Sequence, residues 1–182
     1  GAFYNSGQSC CGIERIYVDN AVYDDFVEGI KTFSEKYILD DPLKKETNLG
    51  PVVRLSAAKY IRGQIKDAVS KGASDIVDKI NFKIAEDSNC YVSPSVLINV
   101  NHSMSFMMDE TFGPSVGIMK VADENEAAQF MNDSPYGLTA CVWTSDKEFA
   151  LSFGKRINTG TFFMNRCDYL DPGLAWTGVK DT

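Results

Sequence analysis

Ser115-Val116-Gly117-Ile118-Met119-Lys120-Val121, with the alternation that follows it down to Asn165, is the stretch that decides the fold. Residues 115–121 are β-branched and apolar, and read as a strand. Asp123 is placed to cap a helix through Asn132, with Ala127, Phe130 and Met131 turned inward. Leu138 to Thr144 reads as a second strand. Ser145-Asp146-Lys147-Glu148 has the form of a capping box and opens a helix to about Ile157. Gly160 to Asn165 is a third strand. Strand and helix in alternation imply right-handed crossovers and a mostly parallel, twisted sheet with helices on both faces, an α/β fold.

Upstream the pattern is consistent with that class. Ile13 to Val18 is a short strand bounded by Gly12 and Asp19-Asn20. A helix follows, with Asn20 as N-cap and Val22, Phe26, Ile30, Phe33 and Tyr37 as its stripe, stopped by Asp40-Asp41-Pro42. Residues 41–55 form a loop containing Gly50-Pro51. A second helix starts near Ser56, with Ala57, Ala58, Ile61, Ile65, Ala68 and Val69 as its apolar stripe and Gly72 at its C-terminal cap. A short strand and a loop fall within residues 74–90. Tyr91 to Val100 is extended, and Pro94 within it points to an edge or a bulge. The methionine-rich residues 103–112 read as a core-facing turn of helix. No repeat, linker or low-complexity tract interrupts the chain, so residues 1–182 are expected to form a single domain.

Composition sets limits. The chain has 182 residues, 44% hydrophobic and 24% charged, enough for a sizeable core. Its net charge is −7, without a lysine/arginine stripe, which argues against nucleic acid and anionic membrane as partners. The start of the chain lacks the basic-then-apolar layout of a signal peptide. The five cysteines are odd in number and irregular in spacing, which argues against a disulfide framework or a zinc ribbon and for free thiols in a reducing, cytoplasmic compartment. No metal-ligand cluster is apparent, and neither a GxGxxG nor a Walker loop is present.

Two constellations carry chemistry. In Phe3-Tyr4-Asn5-Ser6-Gly7-Gln8-Ser9-Cys10-Cys11-Gly12 a cysteine sits in a bend before a strand. A thiol nucleophile needs exposure and a way to become thiolate, and a bend can aim N–H groups at a developing oxyanion. Against that stands the ordinary role of a free cysteine as a small buried hydrophobe. In Asp109-Glu110-Thr111-Phe112-Gly113-Pro114 a carboxylate and an aromatic share one rim. Glu110 can accept hydrogen bonds from sugar hydroxyls and Phe112 offers a flat face to a ring. An acidic turn before a strand is the plain alternative. The single histidine, His102, reads as a solvent-facing turn residue and gives no dyad with Cys10.

These segments resemble the aldehyde dehydrogenase superfamily. Gly7-Gln8-Ser9-Cys10 is similar to the family's Gly-Gln-x-Cys, which ends on the nucleophile. Glu110-Thr111-Phe112-Gly113-Pro114 is similar to its Glu-x-Phe-Gly-Pro. Leu49-Gly50-Pro51 looks like its LGP turn, and Asn132 with Tyr136-Gly137-Leu138-Thr139-Ala140 like its N-x-x-x-YGL-[ST]-A segment. Residues 160–165 look like the strand ending in asparagine. Trp176-Thr177-Gly178-Val179-Lys180 looks like a variant of the terminal PFGGxK signature, with Ala175-Trp176-Thr177-Gly178 in place of Pro-Phe-Gly-Gly. The ordered set covers essentially the whole chain.

The resemblance implies a catalytic-domain fold and oxidation of an aldehyde to a carboxylic acid with NAD or NADP. It assigns Cys10 as the nucleophile that forms a thiohemiacetal and then a thioester, with its own N–H on the oxyanion. It places Glu110 on the nicotinamide ribose and Phe112 beside the nicotinamide, and it puts Asp168, Leu170 and Trp176 at the substrate tunnel. It further implies that the chain lacks the N-terminal cofactor domain with its general-base glutamate and most of the arm that pairs subunits. The parent would be a homodimer or homotetramer acting on a small-molecule aldehyde. The 182-residue chain alone is expected to be inactive as a dehydrogenase. Two alternatives are a cofactor-free thiol esterase or acyl transferase using Cys10, and a non-catalytic truncated domain.

Overall fold

The computed structural model describes every residue except Asp168 and Tyr169. Six strands and five helices are found among the described residues: β1 (Arg15–Asp19), α1 (Tyr23–Ser34), α2 (Leu55–Ser70), β2 (Ser74–Asp75), β3 (Ser95–Ile98), α3 (Ser105–Met108), β4 (Ser115–Val121), α4 (Glu124–Asn132), β5 (Thr139–Val142), α5 (Lys147–Gly154) and β6 (Thr161–Met164). Four strands form one sheet in the order β1-β4-β3-β2. β4 lies parallel to both β1 and β3, with Ile16 opposite Ile118 and Val96 opposite Val116. β2 is antiparallel to β3. The α/β class and the mostly parallel pairing are as expected. The single sheet is not: β5 and β6 pair in parallel as a separate two-stranded sheet.

The period of two along each strand sorts the core into two layers. Val18, Val96, Val116 and Ile118 point to one face, where Tyr23 and Ile30 of α1 pack on them. Leu97 and Met119 point to the other, against Ala68 of α2, Met104, Phe106 and Met107 around α3, and Phe130 of α4. The methionine-rich turn is therefore core, as its composition implies. Gly117 sits in the middle of β4 because a Cβ there would lie 2.3 Å from the Met107 sulfur. The second sheet has its own core of Ala128, Phe153 and Ile157, which Phe149 and Phe162 join. α4 feeds both cores and so links the two sheets.

Several local expectations change. The N-cap of α1 is Val22, with no side-chain cap. Asp19 accepts the Ala21 amide at 2.8 Å in the turn that precedes the helix. Helix α1 ends at Ser34, and Phe33 is 60% exposed, so its apolar stripe is only partly buried. In α2, Ala58, Ile61 and Ala68 are buried as expected, while Val69 is exposed. Gly72 follows the end of α2 at φ +106, a conformation that favours glycine. Pro94 marks neither an edge nor a bulge. It precedes β3, which lies inside the sheet, and its missing N–H costs nothing there. Asp123 caps α4 by accepting the amides of Asn125 and Glu126. For α5 the cap is Asp146, whose carboxylate accepts the Phe149 amide at 2.9 Å, so the box opened by Ser145 does not form.

Candidate active site

Three consecutive residues before the thiol adopt left-handed backbone: Asn5 (φ 50), Ser6 (φ 56) and Gly7 (φ 73). For a non-glycine residue this conformation costs about 1–3 kcal/mol and persists only when its surroundings enforce it. The enforcing contacts are specific. Asn5 Nδ2 donates to the Gln8 carbonyl at 3.0 Å, and Gln8 Nε2 returns a bond to the Asn5 carbonyl at 3.1 Å. Ser6 Oγ donates to the Gly50 carbonyl at 2.8 Å. Gln8 Oε1 accepts the Val53 amide at 2.7 Å. Phe3 is buried and meets Tyr37 edge-on at 5.4 Å, anchoring the start of the loop. The loop then turns, with the Gly12 amide on the Ser9 carbonyl, and Cys10 stands exposed at its tip. Cys11 is turned away, its Sγ 3.1 Å from Ser9 Oγ. Among the described residues the Cys10 N–H has no acceptor.

The segment Leu49-Gly50-Pro51 is thus the bed on which Ser6 and Gln8 lie. The second constellation packs from the other side. A Cβ at Gly7 would lie 1.9 Å from the Gly113 carbonyl oxygen, and one at Gly113 would run into Ile61 of α2. Glu14, at the entry to β1, accepts the Thr111 amide at 3.2 Å and the Phe112 amide at 3.0 Å. Burial, and to a lesser degree the charge of Glu110, raises the pKa of Glu14, against the lowering effect of these amides. Tyr60 on α2 donates to the Glu110 carbonyl at 3.3 Å. These contacts hold Phe112 at φ 53 with its ring 40% exposed, and leave the Glu110 side chain exposed.

Cys10 and Glu110 line one cleft of about 900 Å³. Its other walls are β1, β5, Ala127 and Met131 of α4, and Phe149 and Phe153 of α5, with Tyr136, Gly137 and Leu138 at one end. The size is that of a small-molecule pocket, and its apolar walls with a few convergent polar groups suit one. Phe112, 40% exposed on the same loop as Glu110, is not among the residues that line this cleft.

The C-terminal motifs shape this end of the cleft through backbone contacts. Gly137 accepts the amides of Gly160 and Val179, at 2.9 and 3.0 Å. A Cβ on Gly160 would meet the Thr177 carbonyl oxygen at 1.7 Å, so only glycine lets residues 177–179 cross there. Asn132 Oδ1 accepts the Asn158 amide at 2.7 Å, and Lys180 donates to the Asn132 carbonyl at 3.0 Å. Asn165 ties the ends of β5 and β6, accepting the Thr144 amide and donating to its carbonyl. Leu170 and Trp176 are 55% and 38% exposed and lie outside the lining of the cleft that holds Cys10. Asp168 lies outside the described residues.

His102 is not a solvent-facing residue. Its side chain is 11% exposed. Nδ1 lies 2.7 Å from Asp133 Oδ2, Nε2 lies 2.9 Å from the Tyr17 hydroxyl, and the ring sits 4.9 Å from that of Phe130. Burial pushes the Tyr17 phenol up to about 12. The cluster stitches β1 to the end of α4 and is structural. Neither it nor Glu14 was signalled locally, since Glu14 and its partner Phe112 stand 98 positions apart.

The model of the aldehyde dehydrogenase family matches residues 1–182. Similar proteins include 3-sulfolactaldehyde dehydrogenase of Priestia aryabhattai, 34% identical over 98% of this chain and 36% of its own length. The NADP(+) succinate-semialdehyde dehydrogenase of Deinococcus radiodurans is 32% identical over 99% and 37%. Among solved structures, betaine aldehyde dehydrogenase of Staphylococcus aureus in complex with NAD+ superposes with a TM-score of 0.90 at 28% identity, over 99% of this chain and 36% of that one. Aldehyde dehydrogenase 21 of Physcomitrella patens, with the product succinate, gives 0.88 at 30% over 100% and 37%. The chain thus spans a little over a third of the length of these relatives.

Proposed function

Because this chain belongs to the aldehyde dehydrogenase family, we propose that it is the thiol-bearing part of an enzyme that oxidises an aldehyde to a carboxylic acid with NAD or NADP, and that Cys10 is the nucleophile. The observation that carries the reading is the thiol loop itself. A run of strained backbone, keyed by Ser6 and Gln8 to the 49–53 turn, ends on an exposed cysteine beside the Glu110 rim.

Cys10 Sγ, as thiolate, adds to the aldehyde carbonyl carbon. The C–S bond forms and the carbonyl electron pair moves to oxygen, where the free N–H of Cys10 is available to meet the charge. Glu110 would hold the ribose of a nicotinamide nucleotide and Phe112 would face its ring. That group, when bound, takes up the substrate hydrogen with its electron pair. Cys10 then carries the acyl group as a thioester. Water attacks its carbonyl carbon, the C–S bond breaks, and carboxylic acid and thiol are released. Leu170 and Trp176, with Asp168, would lie on the substrate side, and the assembled form would be a cytoplasmic homodimer or homotetramer.

The test begins with the intact mass of the protein as its source expresses it. A mass well above 20.1 kDa and NAD(P)-dependent aldehyde oxidation by that species, lost in Cys10→Ser, would support the reading. Absence of aldehyde oxidation from the longest expressed form would refute it. The 182-residue chain alone should form no NAD(P)H. Release of nitrophenol from an activated ester, lost in Cys10→Ala, would favour the thiol esterase instead.

A further inference from the structure

Glu14 stands four positions after Cys10 and directly before β1. Its side chain does not follow the thiol outward. It turns into the protein and divides its two oxygens between consecutive amides, Oε2 on Thr111 N–H at 3.2 Å and Oε1 on Phe112 N–H at 3.0 Å. Successive N–H groups converging on an anion make a favourable site for it, and hydrogen bonds to a charged acceptor are stronger than neutral ones. Glu14 is partly buried, and a carboxylate withdrawn from water is costly unless it is so paired. Here burial and the neighbouring Glu110 both act against the charge.

The other holds on the loop act on its ends. Tyr60 bonds the Glu110 carbonyl, and Gly7 abuts Gly113. The middle, where Phe112 adopts φ 53, is held by Glu14. We propose that Glu14 is a positioning residue: its carboxylate clamps the Thr111 and Phe112 amides, keeps Phe112 in its left-handed turn, and so sets Glu110 and Phe112 in one register with Cys10, which rides on the same short segment. This role rests on the reading that Glu110 and Phe112 receive the nicotinamide nucleotide, and it adds the residue that joins that rim to the thiol.

The experiment compares the longest expressed form of the wild type with its Glu14→Ala, Glu14→Gln and Glu110→Gln variants. Amide hydrogen exchange is resolved at Thr111, Phe112 and, as a reference, Ile118 of β4. Nicotinamide mononucleotide is the binding probe. In Glu14→Ala both loop amides should exchange at least tenfold faster while Ile118 is unchanged, and the probe should bind about tenfold more weakly. Glu14→Gln, with one acceptor oxygen, should restore protection to one amide and part of the affinity. If Glu14→Ala does not fold, the selective loss of one amide in Glu14→Gln carries the test. Unchanged exchange at both amides would overturn the clamp. Freed amides with wild-type affinity would overturn its role in positioning, provided Glu110→Gln still loses the probe. A wild type of that longest form that binds no mononucleotide would instead strike the cofactor reading, and the role of the clamp in the reaction with it.

Discussion

Gly7 and Gly113 touch backbone to backbone: a single Cβ added to Gly7 would lie 1.9 Å from the Gly113 carbonyl oxygen. This is where the loop that carries Cys10 meets the loop that carries Glu110 and Phe112. The two segments stand about a hundred residues apart in the chain, and their approach depends on the absence of a side chain at that point.

Gly7→Ala should therefore be among the most damaging small substitutions in the chain. Alanine at φ +73 is strained by about 1–3 kcal/mol, and the collision with Gly113 adds to this because backbone, not a flexible side chain, must move. Denaturant unfolding should show a lowered midpoint. Alkylation of Cys10 by iodoacetamide should change rate as the loop shifts. A wild-type midpoint and rate would show that the contact is not enforced.

Gln8→Glu tests the tie to the 49–53 turn. The Gln8 amide group donates to the Asn5 carbonyl at 3.1 Å, while its oxygen accepts the Val53 amide at 2.7 Å. A carboxylate keeps the acceptor and turns the donor into a second anionic oxygen facing a carbonyl. The expected loss is about 1–3 kcal/mol, the cost of leaving a partly buried group without its partner. Gln8→Glu should recover stability as pH falls and the new carboxyl gains a proton. A loss independent of pH would point to packing instead.

The pH dependence contributed by Glu14 has a definite sign. Its folded-state pKa is raised above the ordinary 4.5, chiefly by burial, so the folded chain binds this proton more tightly than the unfolded chain. The stabilisation from the protonated form is full below the ordinary value and is lost as pH rises through the raised folded one. Glu14→Gln removes that titration, so the wild-type unfolding free energy should fall relative to that of Glu14→Gln as pH rises across that window. A wild type that gains on Glu14→Gln with rising pH there would contradict the assignment.

His102→Ala should destabilise the chain by about 1–3 kcal/mol, because it removes the short bond to the Tyr17 hydroxyl, leaves the longer one to the Phe130 carbonyl, and takes a ring from Phe130. Tyr17→Phe should cost less, about 1 kcal/mol. In a double-mutant cycle the two should be strongly non-additive, since they share one contact. Additive losses would mean that the hydrogen bond contributes nothing.

Much of this was legible from residues alone, for physical reasons. Patterns of period two and three to four are local, so the strand at 115–121, the helices at 55–70 and 124–132 and the buried methionine turn could be read directly. The candidacy of Cys10, Glu110 and Phe112 comes from the likeness of their loops to the family's motifs, since spacing alone equally allows a small buried thiol and an ordinary acidic turn. Capping was less legible. Asp123 caps as its position implies, whereas Asp146 displaced Ser145 and α1 has no side-chain cap, because neighbouring polar residues compete for the same free amides and small differences in backbone direction decide between them.

What the sequence by itself determined is the α/β class, the order of its elements and the two loops that hold the candidate residues. Only the tertiary structure decided how those loops meet: Ser6 and Gln8 on residues 50–53, Gly7 on Gly113, and Glu14 on the amides of Thr111 and Phe112. It also decided that β5 and β6 stand as their own sheet and that His102 is enclosed by Tyr17, Phe130 and Asp133. Periodicity reports which side of a segment is apolar. It is silent on which distant backbone groups need a partner, and in this chain it is those unpaired N–H and C=O groups, brought within reach by the fold, that set the position of the thiol and its rim.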